Sequence, residues 1–312
     1  MKLAENKKTR QSSDTMRYLR KNYDLYLLLA PAFVFYIIFC YLPMGGVIVA
    51  FKDYNIFDGV LASPWAGLKY FRQMIALPNF YNMVRNTLML NILSIAVGFP
   101  APIILSLMLN ELRSTGFKRV SQSLLYLPHF MSWIVLAGII TNIFSPQYGI
   151  VNHILRCFGH DGIFFMANRT WWVVIYVMSG VWQSVGWGTI VYMAALTGID
   201  QCLYEAATID GAGKWKQMLH VTLPGIMPTI SIMFILKMGT LVSIGFEQPM
   251  ALSNSVVTEV SEVISTYSYT AGVQNGQYSI TTAIGLLQSV INMIMVLVTN
   301  HISRKMSGSG LY

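Results

Sequence analysis

Charge is scarce in this sequence. Asp, Glu, Lys and Arg together make up 11% of the 312 residues, against 54% for the hydrophobic types, whereas a soluble domain carries roughly 25% charged residues. So little charge cannot coat a water-soluble globule, which excludes a soluble enzyme and a free nucleic-acid binder. The same figures, with a mean hydropathy of +0.53, exclude disorder. Cysteine is also sparse. Cys40, Cys157 and Cys202 are scattered, with no zinc or redox spacing and no disulfide framework. The G-x-x-x-x-G-K-[ST] run that cradles phosphates is absent, as are the G-x-S-x-G elbow and the H-E-x-x-H pair. The five histidines, at 129, 153, 160, 220 and 301, lie far apart and read as structural or interfacial. No catalytic residue, metal site or cofactor is assigned to this chain.

Long apolar runs are abundant. About 20 apolar residues cross a bilayer as a helix, and six stretches qualify: 25–51, 87–109, 124–144, 171–194, 223–246 and 280–299. Lys237 is the single charge inside them. The first run is longer than the core of a secretory signal and reads as an uncleaved first helix. Basic residues set the orientation. With both termini inside, the inner segments 1–24, 110–123, 195–222 and 300–312 hold fourteen of the 21 Lys and Arg, and the outer segments 52–86, 145–170 and 247–279 hold six. That asymmetry places both termini in the cytoplasm. Segment 52–86, with Tyr54, Phe57, Trp65, Tyr70, Phe71 and Phe80, has the apolar surface for a packed cap or an interfacial helix. Residues 1–24 form a polar cytoplasmic segment, 25–306 the membrane domain and 307–312 a short tail.

One inner segment is too long for a bare turn. Helix connections usually run 2–8 residues, yet 195–222 spans 28. Asp200 is an N-cap candidate for a helix through Ile209. Gly211 and Gly213 break that helix, glycine being free to turn left-handed, and a second short helix runs from Lys214 to about Val221, where Pro224 stops it and starts the next span. Two readings compete. In one, small Ala206 and Ala207 with Glu205 and Asp210 form a cytosolic docking element. In the other, an amphipathic helix rests on the bilayer, which favours Lys and Arg on the polar face; here the acids come first and the lysines follow Gly211.

The run Tyr204-Glu-Ala-Ala-Thr-Ile-Asp-Gly-Ala and the run His220-Val-Thr-Leu-Pro, with nine residues between Gly211 and Val221, resemble the EAA loop of ABC importer permeases. Val221 stands where isoleucine is common. Phe51-Lys-Asp-Tyr-Asn, Ser63-Pro-Trp-Ala-Gly-Leu and Leu127-Pro-His-Phe-Met-Ser-Trp look like the subgroup handling complex oligosaccharides, similar to the maltose-type (type I) importers. The resemblance implies an assembly of two homologous permeases, a heterodimer, with two cytosolic ATPases that bind ATP and Mg, and an extracytoplasmic solute-binding protein. It also implies that Tyr204, Glu205, Ala206, Ala207, Asp210, Gly211 and Ala212 couple to the ATPase.

Polar side chains within spans should face protein or water. Gly180, Gln183, Ser184 and Trp187 share one helical face, a small, polar and aromatic stripe suited to a sugar path or, for Gly180 and Ser184, to close helix packing. Gln288 and Asn292 share a face of the sixth span and need either a wet cavity or the companion permease. Lys237 is a candidate for function, for an ion pair with the companion, or for snorkelling to an interface; Gln248 falls on its face three turns on. The resemblance adds Val242 and Gly245 as counted positions of the sugar site. If Lys237 faces the path, it suits a uronic-acid-containing oligosaccharide.

The expected fold is an all-α integral membrane protein with six transmembrane helices and a cytoplasmic coupling helix. The expected function is the translocation subunit of an ABC oligosaccharide importer working by alternating access in the bacterial cytoplasmic membrane. An ion-coupled transporter would need intramembrane acids, and a membrane enzyme a clustered catalytic set; the spans hold neither. A permease for another solute, such as glycerol phosphate or a peptide, differs only in what lines the cavity.

Overall fold

The structure is a computed structural model that describes residues 21–307. Among them all regular structure is helical, apart from one antiparallel bridge between Lys52 and Trp65. The chain divides into two compact units after Lys69. The predicted segment 1–24 lies almost wholly outside the described residues, and so does the tail 307–312 apart from Ser307.

In the first unit, α1 (Tyr23–Phe51) is apolar all round, and its first stretch, Tyr23–Tyr36, buries no residue. Such a helix is solvated by lipid or by partner chains. Pro31 and Pro43 sit within it, and the ladder relaxes through a π turn at Ile37–Tyr41 and a tight 3-10 turn at Gly45–Phe51. Beyond it the chain folds back. Asp53 N–H donates to Pro64 O (2.9 Å) and Ala66 N–H to Phe51 O (2.8 Å), while Phe51 and Trp65 stack at 6.1 Å. Phe57 and Leu61 are over nine-tenths exposed, which fits the interfacial alternative better than the packed one.

The second unit carries α2 (Phe80–Asn110), α3 (Thr115–Phe130), α4 (Trp133–Ile143), α5 (Arg169–Thr197), α6 (Gln201–Ile209), α7 (Lys214–Met238), α8 (Glu247–Leu252) and α9 (Tyr278–Ser307). Two expected spans differ from prediction. The third is not one helix: α3 and α4 meet at 104°. Pro128 sits in a closing 3-10 turn, Met131 is extended, and the Ser132 hydroxyl caps α4 by accepting from Val135 N–H (3.4 Å). Among the described residues there are therefore five candidate spans and a sixth only as this bent pair. The fifth span, predicted over 223–246, starts at Lys214 and ends at Met238. Residues 239–246 form turns, so Lys237 and Gln248 do not share a helical face. At its start Pro224 does not stop the preceding helix. A π turn at Met218–Thr222 widens the ladder just ahead of the proline and accommodates a residue without an N–H.

The core gathers around α5. Trp172 is fully buried, stacks on Tyr176 at 5.3 Å and donates its indole N–H to Leu252 O (2.9 Å). Leu90, Leu136, Ile140, Phe165 and Val257 pack around the pair. The segment between α8 and α9 is tied down by buried amides and hydroxyls. Asn86 Nδ2 donates to the carbonyls of Glu259 (2.8 Å) and Glu262 (3.0 Å), and Ile264 N–H donates to Thr87 Oγ1 (3.1 Å). Such satisfied buried groups hold irregular backbone in one arrangement.

Glu262 lies in that segment, where burial lifts its carboxyl above the usual range against a weak bond from Asn79 Nδ2 (3.5 Å) that favours the charged form. A carboxyl with a raised folded-state pKa costs stability when ionised, and the cost is relieved as pH falls through the folded pKa. Glu262→Gln is therefore expected to raise the unfolding temperature in detergent at neutral pH. The difference from the parent should close as pH falls into the ordinary carboxylate range. A pH-independent difference contradicts this account.

Candidate translocation cavity and coupling loop

A cavity of about 450 Å³ opens where α2, α4, α5, the end of α7 and the 239–246 turn converge. Of the path candidates, Gly180, Gln183, Ser184, Lys237, Gly245 and Gln248 line it, together with Asn91, Ser94, Trp133, Tyr176, Ser243 and Glu247. Asn91, Ser94 and Gly98 escaped the sequence reading, although they repeat on one face of α2 by the same rule that picked the α5 stripe.

The turn is the unusual part of the wall. Unwound backbone is tolerated at membrane depth only where protein or a wet cavity satisfies its polar groups. Three amide side chains do so here. Asn91 Nδ2 donates to Leu241 O (2.6 Å), Gln288 Nε2 to Val242 O (2.8 Å), and Asn292 Oδ1 accepts from Val242 N–H (3.2 Å) while its Nδ2 donates to Ser243 Oγ (2.7 Å). Gln288 and Asn292 thus find partners within this chain. They clamp the turn and do not line the cavity. The Val242 side chain is buried with Met74, Met83, Ile280 and Ile284, so that residue also holds the wall from behind.

Gln248 braces the opposite side. Its Nε2 donates to Tyr176 O (2.7 Å) and approaches Ser179 Oγ (3.4 Å). Gly180 makes this approach possible, since a Cβ there would stand 3.2 Å from Gln248 Nε2. Gln183 Nε2 donates weakly to His129 O (3.4 Å), and Ser184 Oγ bonds back to Gly180 O (2.7 Å). Trp187, one turn along α5, stays outside the lining and stacks on the His129 ring at 4.7 Å. Among the described residues, no side chain or carbonyl bonds the Lys237 ammonium, and no carboxylate lies within ion-pair distance of it. The cavity thus offers amide and hydroxyl groups, aromatic Trp133 and Tyr176, one free cation and the Glu247 carboxylate.

At the other end of α5 stands the predicted docking element. Asp200 caps α6 by accepting from Cys202 N–H (2.9 Å). At its C-terminus Gly211 has φ +74°, with Gly211 N–H donating to Thr208 O (3.0 Å) and Ala212 N–H to Ala207 O (2.9 Å). This is a Schellman closure, which favours glycine at that position. Gly213, with φ −68°, is not left-handed and serves as the N-cap position of α7. Glu205, Ala206, Asp210 and Gly211 are exposed, and Tyr204, Ala207 and Ala212 half-buried. Lys214 pairs with Glu111 at the end of α2. A groove along α6 is lined by Asn110, Glu111, Tyr204, Glu205, Thr208 and Gln217 among others.

The family model described as "Binding-protein-dependent transport system inner membrane component" matches residues 91–308. The chain belongs to this family. It is therefore an inner-membrane component of a transport system, and the helices long and apolar enough to span a bilayer are its transmembrane part. The chain is 39% identical over 306 residues to the polygalacturonan/rhamnogalacturonan transport system permease protein YteP of Bacillus subtilis (strain 168), covering 98% of this chain and 95% of that one. It is 41% identical to Protein LplB of the same organism, over 95% of this chain and 93% of LplB. Among solved structures, a chain of a bacterial alginate ABC transporter in complex with an alginate pentasaccharide-bound periplasmic protein superposes with a TM-score of 0.86. It is 36% identical and is covered to 99%, with 95% of this chain matched.

The clamp on the 239–246 turn predicts a measurable cost. Asn292→Leu strands the Val242 N–H and is expected to destabilise the protein by about 1–3 kcal/mol, read as a lowered unfolding temperature in detergent. An unchanged transition would show that the turn does not depend on this amide.

Proposed function

We propose that this chain is the translocating permease of an ATP-driven importer for acidic oligosaccharides, with Lys237 as the site that receives a uronate carboxylate. The supporting observation is Lys237 itself: an unpaired ammonium in the wall of a polar cavity, and the single charge within the six apolar stretches of the sequence. Leaving a charge at membrane depth is costly, and a substrate carboxylate offsets the cost each time it binds. The names of the relatives agree with this choice. One is a polygalacturonan and rhamnogalacturonan permease, and one solved relative imports "the acidic polysaccharide alginate". Amides at Asn91, Gln183 and Gln248 suit sugar hydroxyls, Trp133 and Tyr176 suit the C–H faces of the rings, and Glu247 serves as an acceptor for hydroxyls away from the anionic group.

In this reading the chain pairs with a second, homologous permease. Two cytosolic ATPases supply the nucleotide sites with ATP and Mg, and this chain has no ATPase site and catalyses no reaction. An extracytoplasmic solute-binding protein delivers the oligosaccharide. Both termini are cytoplasmic, which puts α6 on the ATPase side. Closure of the ATPases moves α6 and its counterpart, the cavity opens outward to accept sugar, and hydrolysis returns it inward. Differential stabilisation of the two states by ATP supplies the driving force.

Uptake into proteoliposomes holding the whole complex tests the substrate assignment. Lys237→Gln is expected to lower oligogalacturonate uptake by about 10–100-fold, the weight of one charged hydrogen bond, and to leave uptake of a neutral oligosaccharide carried by the same complex nearly unchanged. Equal losses for both sugars, or none, would discard the assignment. In the same preparation Glu205→Arg is expected to reduce the amount of ATPase that co-purifies with the permease.

A further inference from the structure

The coupling helix has little to hold it. No residue of α6 is buried, and Leu203 and Ile209 point outward, 53% and 87% exposed. An element that transmits force must nevertheless be fastened to what it moves. The fastenings present are polar and converge on the root of α7. The Tyr204 hydroxyl lies 2.9 Å from Thr222 Oγ1. Thr222 is 5% exposed and also lies 3.4 Å from Gln217 O, to which its hydroxyl donates weakly. Gln217 Nε2 closes a second link, donating to Thr208 Oγ1 (3.0 Å) and to Ala212 O (3.0 Å). The nearby pair of Lys214, at the start of α7, with Glu111 is solvent-exposed and contributes little.

Thr222 occupies a particular place on α7. It is the last residue of the π turn, directly ahead of Leu223 and Pro224. A π turn breaks the regular ladder and marks a joint in an otherwise stiff helix. From Thr222 the helix runs fifteen residues to Lys237 in the cavity wall, a length of about 22 Å. A tilt of about 10° at the root moves the far end by about 4 Å over that length, enough to reposition Lys237 and the turn that follows it.

We infer that the Tyr204–Thr222 hydroxyl pair is the joint through which displacement of α6 reaches α7 and the cavity, so that Tyr204 is a positioning residue for transport and not an ATPase-binding residue. The inference rests on the importer reading above and deepens it, by separating the exposed residues that meet the motor from the half-buried one that passes the motion on. Tyr204 has its ring between α6 and α7 and its hydroxyl on Thr222. The helix surface offered to the cytosol is made by Glu205, Ala206, Ile209 and Asp210.

The test uses the complete complex in proteoliposomes, with its binding protein and oligogalacturonate as the probe. It measures ATP hydrolysed per sugar taken up and the amount of ATPase that co-purifies. Tyr204→Phe and Thr222→Val each delete one hydroxyl and keep the side-chain shape. Each is expected to raise the ATP-to-sugar ratio about fivefold, the weight of one neutral hydrogen bond, with the ATPase still bound. The double variant should be no worse than either single one, as for two partners in one interaction. Thr222→Ser keeps the hydroxyl while removing a methyl and should keep the parental ratio, which a role in packing alone would not do. An unchanged ratio in Tyr204→Phe, or loss of the ATPase from that variant, overturns the joint while the importer reading stands. A parental complex without ATP-driven uptake overturns both.

Discussion

The structure depends on a requirement of the bilayer: backbone N–H and C=O groups at membrane depth must find partners inside the protein. Where the fifth span ends at Met238, eight residues of turn remain before α8. Amides from α2 and α9 supply missing backbone bonds at Leu241 and Val242, and Asn292 also holds the Ser243 hydroxyl. The arrangement serves two ends at once. It lets the chain unwind beside a cavity, so that Gly245, Glu247 and Gln248 reach the wall, and it joins α2, α7 and α9 around that wall without using a charge.

The charge is reserved for Lys237. It stands in the last turn of α7, where the helix dipole favours a cation, which lessens the cost of keeping an ammonium unpaired between transport cycles. The polar groups around it are amides and hydroxyls that bond hydroxyl-rich molecules in many orientations. In the function proposed above, an anionic group on the substrate is fixed by one contact and the remaining sugar is held by exchangeable ones, which suits a ligand that must also leave.

The α6 end follows a different logic. A helix with no buried residue is not kept in place by apolar packing, so its ends are fixed by an Asp200 cap and a Gly211 closure, and its flank by Tyr204 and Thr208 reaching toward the α7 root. Hydrogen bonds of this kind are directional and short-ranged. In the joint inferred above they pass a displacement along one line.

Much of this could be read from the residues in order. Apolar length determined that the chain crosses a membrane, since no other solvent accepts helices such as Tyr23–Phe51. Asp200, Gly211 and Lys214 marked the cap, the turn and the helix restart of the segment 195–222, because these are local chemistry. The α5 stripe was visible because helical periodicity is fixed by geometry. Three things were beyond the sequence. The bend at Met131 and the end of α7 at Met238 depend on which carbonyls find partners elsewhere. The roles of Gln288 and Asn292 depended on the turn they face: a polar face predicts that a partner exists, and only the packed helices decide whether that partner is water, sugar or another strand of backbone. Trp187 obeyed the stripe's periodicity yet went to His129, because the bent α3–α4 pair brought that ring within stacking distance. Local pattern determined the elements and the chemistry each carries, and tertiary contact, acting between residues as far apart as Asn91 and Leu241, decided which of those groups meet.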